Sequence, residues 1–115
     1  MILTSLIIGA AIAGLSAITF WKDLAYWLKI GWEKLPESLK KDLKGVVTSV
    51  INKAGTIFNI IKYYSYNQNK NQWSETIVRK ECSINDVPQH IRNRITYGSE
   101  IDTTQELKEK LELSL

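Results

Sequence analysis

The chain is short of the side chains that do chemistry. Its 115 residues hold one cysteine and one histidine. With His90 alone there is no site built on two imidazoles and no second imidazole for acid–base work. With Cys82 alone there is no internal disulfide, as suits a reducing compartment. Arg79 and Lys80 beside Cys82 have the sign that lowers a thiol pKa. Nothing in the spacing brings Cys82 to His90, however, and a half-buried strand residue is the simpler reading. Gly9-x4-Gly14 lacks the Lys-Ser/Thr that a phosphate loop needs. The carboxylates are scattered, mostly at helix starts or in Glu/Lys pairs. The expectation is a protein without enzymatic activity, cofactor or metal.

Charge is missing altogether from Ile2 to Trp21. A helix of that length rises roughly 30 Å, about the thickness of a bilayer's hydrocarbon core. Residues 2–21 are therefore expected to form a transmembrane helix. A cleaved secretory signal fits less well, since no Lys or Arg precedes the apolar run. A helix buried in protein is the other reading, but so short a chain offers little core to hide it. Within the run, Gly9, Ala13 and Ala17 lie four apart, as do Ala10 and Gly14. Small residues so spaced let two membrane helices approach closely, which marks a face for helix association.

The net charge is +3 and unevenly spread. Lys22, Lys29, Lys34, Lys40, Lys41 and Lys44 follow the apolar run, and the acidic excess falls at the C-terminus. By the positive-inside rule this predicts an inner-membrane protein, N-terminus outside and C-terminal part in the cytoplasm. Residues 22–35 read as an aromatic, interfacial extension of the first helix. Trp21, Lys22, Tyr26, Trp27, Lys29 and Trp32 would sit at headgroup level, with Lys40, Lys41 and Lys44 against anionic lipid. No basic run is long enough for a phosphate-binding stripe, so no nucleic-acid partner is expected.

Pro36 ends that extension and opens the next element. Leu35, Leu39, Leu43, Val46, Val47, Val50, Ile51, Ala54, Ile57, Phe58 and Ile61 recur at i, i+3, i+4. That spacing predicts one long amphipathic helix over 36–62, folded back on the first helix or lying on the bilayer. Residues 63–115 read as a small cytoplasmic appendage. A β-hairpin is expected around Asn67–Asn71, its second strand running from about 72 to 84, then two short helices. The last helix opens at Asp102-Thr103, where Thr103-x-x-Glu106 spells a capping box.

The fold class expected is thus an α+β membrane protein of bacterial type: a transmembrane helix, a long amphipathic helix, a β-hairpin and two short C-terminal helices. Its partners would be the bilayer and either a homo-oligomer or another membrane protein. The leading expectation is a single-pass, non-enzymatic anchor whose cytoplasmic part self-associates or recruits a partner. One alternative is a membrane-perturbing or pore-forming effector of toxin or defence type, using cationic, Trp-rich amphipathic helices. A second is an accessory subunit of a larger membrane complex.

Overall fold

Nine of the twenty residues from 43 to 62 are Val, Ile or Thr. Their branched Cβ crowds a helix and packs well on a pleated sheet. In the computed structural model, which describes residues 19–95 and 98–111, this stretch is two strands. The first, β1, is Leu43–Lys53 and the second, β2, is Thr56–Asn67. Ala54 and Gly55 form the two-residue turn, with φ of 56° and 90°. Two successive positive φ values match the turn whose twist suits a tight hairpin, and Asn52 Oδ1 accepts from Gly55 N–H at 2.9 Å. The long amphipathic helix over 36–62 is accordingly corrected. The apolar spacing there comes from strands that are apolar on both faces, so period two is masked and i, i+3, i+4 pairs arise by coincidence.

The Asn-rich turn joins β2 to β3, Gln72–Cys82. Asn67 Oδ1 receives the Lys70 N–H, and the Tyr66 hydroxyl is bonded to Asn71. The chain then passes through a 3-10 turn at Ile84–Asp86 and a short helix at Gln89–Arg92. It returns as β4, Glu100–Asp102, beside β1. The sheet is antiparallel throughout, in the order β3-β2-β1-β4.

One face of this sheet is covered. The covering helix α1, Thr19–Glu33, presents Phe20, Trp21, Leu24, Ala25 and Leu28 along one side. They pack on Val46 and Val50 of β1 and on Ile57, Ile61 and Tyr63 of β2. A second helix, α2, Glu37–Lys41, follows Pro36. Val87, Ile91, Ile95 and Leu107 complete the core from the C-terminal half; Leu107 lies in the last helix, Thr104–Leu111. Burying a side chain such as Leu28 or Ile61 is worth about 1.5–3 kcal/mol against leaving it in water.

The expected bilayer span is also corrected, along with the inner-membrane location built on it. Among the described residues no helix is long and apolar enough to cross a membrane. Residues 2–18, including Gly9, Ala10, Ala13, Gly14 and Ala17, lie outside the described residues. Where the stretch enters view, Phe20 is 2% and Trp21 0% exposed, inside a protein core and not at a headgroup layer. The fold is therefore described as a small α+β arrangement on a four-stranded antiparallel sheet.

Tyr63 ties helix to sheet. Its hydroxyl donates to the Leu28 carbonyl of α1. Burial pushes the phenol well above its ordinary pKa, with the Trp32 backbone pulling weakly the other way. Gly31 makes the approach feasible: a Cβ there would lie 2.5 Å from the Tyr63 oxygen.

Candidate interaction face

Strand alternation sorts the sheet's side chains into two sets. On β1 and β2, Val46, Thr48, Val50, Ile57, Asn59, Ile61 and Tyr63 face the helices. The intervening residues face the other way: Val47 and Ile51 on β1, Phe58, Ile60, Tyr64 and Tyr66 on β2. The register puts Trp73, Glu75, Ile77, Arg79 and Glu81 of β3 on that same side. None of its apolar residues belongs to the main core cluster, although Ile60 is itself buried, 6% exposed. Trp73 is 60% and Ile77 50% exposed.

An antiparallel sheet with one face on a core ordinarily shows polar residues on the other. This one does not. Cross-strand pairing explains part of it, since Ile51 stands opposite Phe58 and the Tyr66 and Trp73 rings meet at 4.9 Å. It does not explain Ile77, which stands opposite Lys62 and is left half in solvent. Lys44, Gly45, Tyr64, Trp73, Ser74 and Glu75 line a shallow depression at one end. The Tyr64 phenol there is raised above its usual pKa by its hydrogen bond to Glu75, then by partial burial and by the charges of Glu75 and Glu100.

The charges on this face balance. Lys53, Lys62 and Arg79 share it with Glu75, Glu81, Glu100 and Asp102. Glu100 accepts from Ser49 Oγ at 2.7 Å and lies 3.9 Å from Lys62 Nζ. Arg79 stacks over Phe58, 5.6 Å from the ring centre. A polyanion calls for a field of one sign, and this face does not supply it.

The sheet's edges differ. On the β1 side, Thr103 N–H donates to the Thr48 carbonyl at 2.9 Å, and Thr48 N–H to Thr104 Oγ1 at 2.9 Å. The Thr48 and Thr103 hydroxyls meet at 2.9 Å in a buried position. Further along, Gly98 N–H reaches the Asn52 carbonyl at 2.9 Å. The outer edge of β3 shows no such closure: among the described residues its eleven positions pair only with β2.

The sequence-derived candidates take other places. Trp27, Lys29 and Trp32 are half-buried on α1, and Trp27 and Trp32 pack against the core. Lys80 of β3 stacks on Trp27 at 4.1 Å, and Lys40 stacks on Trp32 at 4.9 Å while reaching Glu37 at 3.5 Å. Tyr26, Lys41 and Lys44 are exposed, and Lys22 is half-buried. These residues do not converge on one surface feature. Trp21 and Trp32 each bury an indole N–H that has no partner among the described residues.

The chemistry-bearing pair is also separated in role. The Cys82 thiol is pushed up to about 11, mainly by burial and then by Asp86 and Glu81. That reverses the lowering suggested by Arg79 and Lys80: Arg79 is on the opposite face of β3, and Lys80 is spent on Trp27. His90 Nε2 meets Glu106 at 2.5 Å instead. The capping box is corrected too, since Asp102 Oδ1 receives the Thr104 N–H at 2.8 Å and the Thr103 hydroxyl goes to Thr48. Among the described residues no cluster of three His, Cys, Asp or Glu could hold a metal.

The open face itself escaped the sequence reading. Its signal was present in the alternation Val47, Ile51 and Phe58, Ile60, once 43–62 is read as two strands. Comparison of the chain with protein-family models, curated proteins and solved structures finds no match.

Proposed function

We propose that this chain is an interaction domain without chemistry of its own, which binds protein through the open face of its sheet. One observation carries the reading. A row of apolar and aromatic side chains, from Val47 and Ile51 through Phe58 to Ile77 and Trp73, lies on the sheet face that no described helix covers. Apolar surface gathered on one face in this way is characteristic of a binding site, and aromatic residues are enriched at the centres of protein interfaces. The near-balance of charge around it suits a protein surface better than a polyanion.

Of the two features behind the effector reading, the cationic amphipathic helix is a β-hairpin, which leaves only the Trp- and Lys-bearing helix α1 in its support. The test is site-specific photo-crosslinking in cells, with a photoreactive phenylalanine at Phe58 and, as control, at Asp23 on the exposed side of α1. Discrete protein adducts from position 58 and none from position 23 are expected. Identical adduct patterns from the two positions, or none from 58, would overturn the reading.

A further inference from the structure

We infer that the chain pairs with a second copy of itself through β3, antiparallel and about a twofold axis through Ile77. This goes beyond the interaction reading above: it concerns the edge of the sheet and leaves the two open faces side by side, free for another protein. An axis perpendicular to the sheet keeps both open faces on one side, so every residue of β3 must meet one that faces the same way. Few registers remain. β3 spans Gln72 to Cys82 and its midpoint is Ile77; only with Ile77 on the axis does the whole strand pair.

That same register matches charge. It sets Glu75 of each copy opposite Arg79 of the other, twice by symmetry. Opposite charges facing across two strands stabilise the pair, and like charges destabilise it. Centring on Val78 would instead set Glu75 against Glu81 twice. Lys80, three positions from the axis, would face Ser74, with the two lysines roughly 20 Å apart along the strands. Ile77, half in solvent and without an apolar partner across from it on β2, would meet its own counterpart.

The covered side agrees. A groove lined in part by Trp27, Ile30, Lys34, Thr76, Val78 and Lys80 lies between α1 and this edge strand. In the paired sheet Val78 faces Thr76 of the other copy, so the two grooves become continuous across the axis. The result is an eight-stranded sheet that satisfies the N–H and C=O groups of β3 that no described segment pairs, as exposed strand edges require.

The test is a charge swap read by light-scattering mass on the full chain. Wild type should be dimeric, Glu75→Arg and Arg79→Glu should each weaken association at least tenfold, and E75R/R79E should restore it. Register is read by disulfide trapping in a Cys82→Ser background. Ile77→Cys should crosslink readily under mild oxidation, because residues directly opposite lie about 4.5–5.5 Å apart at Cα. Glu75→Cys, about 13 Å from its symmetry mate, should not. A double swap no better than the single variants, or trapping at position 75 as fast as at 77, overturns the inference. Photo-crosslinking at Phe58 reads the face separately: adducts there leave the interaction reading standing when the swap fails, and a dimer restored by the double swap stands when they are absent.

Discussion

The two edges of the sheet meet the same physical problem and treat it differently. An edge strand exposes a row of backbone donors and acceptors, and each group left unpaired and shielded from water carries a cost. On the β1 side the chain returns to close the row over residues 48–52: β4 pairs with residues 49–51, Gly98 and Ser99 bond to Asn52, and Thr103 and Thr104 bond to Thr48. On the β3 side eleven residues in extended conformation carry both signs of charge and two exposed apolar side chains, and no described segment folds over them. The closed edge is long-range, buried and threonine-rich. The open edge is local, exposed and mixed in charge. The C-terminal half of the chain thus covers part of one edge, and no described segment covers the other.

This contrast can be broken or sharpened by experiment. The largest effect is expected where the sheet is fixed to α1, on which both edges depend. Gly31→Ala drives a Cβ to within 2.5 Å of the Tyr63 oxygen, and such overpacking costs about 2–3 kcal/mol in chemical denaturation. Tyr63→Phe in the same chain should recover part of the loss, so the pair should be non-additive. Full additivity would mean that the two residues do not meet.

A smaller effect is expected at the closed edge. Thr103→Val strands the buried Thr48 hydroxyl, a loss of about 1–2 kcal/mol. Amide exchange should then quicken at Thr48 and Asn52 while the β2–β3 amides stay protected. Equal acceleration across the sheet would show that the edge closure is not a local device.

The smallest effect belongs to Cys82, at the end of the open edge. Its thiol is held neutral up to about 11 against an ordinary value of 9.0. Its contribution to stability is thus whole below pH 9 and declines as pH rises from there through 11, because the unfolded chain ionises first. Wild type should therefore lose more stability over that window than Cys82→Ser, and alkylation at neutral pH should be slow. Parallel stability curves for the two proteins would refute the burial of this thiol.

Part of this arrangement was legible in the residues alone. The Asn67–Asn71 turn and a strand after it follow from turn chemistry, which is local. The helical character of 22–33 follows from Leu24, Trp27 and Leu28 at helical spacing. The hairpin of β1 and β2 was hidden because its strands carry apolar side chains on both faces. With Val47, Ile51, Phe58 and Ile60 apolar on one side and Val46, Val50, Ile57 and Ile61 on the other, alternation disappears and a helical period can be drawn through the remainder. Branched side chains at 46–51 and the Ala54-Gly55 pair were the cues for strand and turn, and hydrophobic spacing overrode them.

By itself, the sequence determined the poverty of catalytic groups, the position of the Asn-rich turn and the apolar side of α1, because each depends on residue type or near neighbours. Only the tertiary structure decided that Trp21 is core, that Thr103 serves Thr48 and not its own helix, and that no described segment covers one sheet face and one edge. Those outcomes depend on which distant segments meet, and the free energy of such meetings is not written in any local window of the chain.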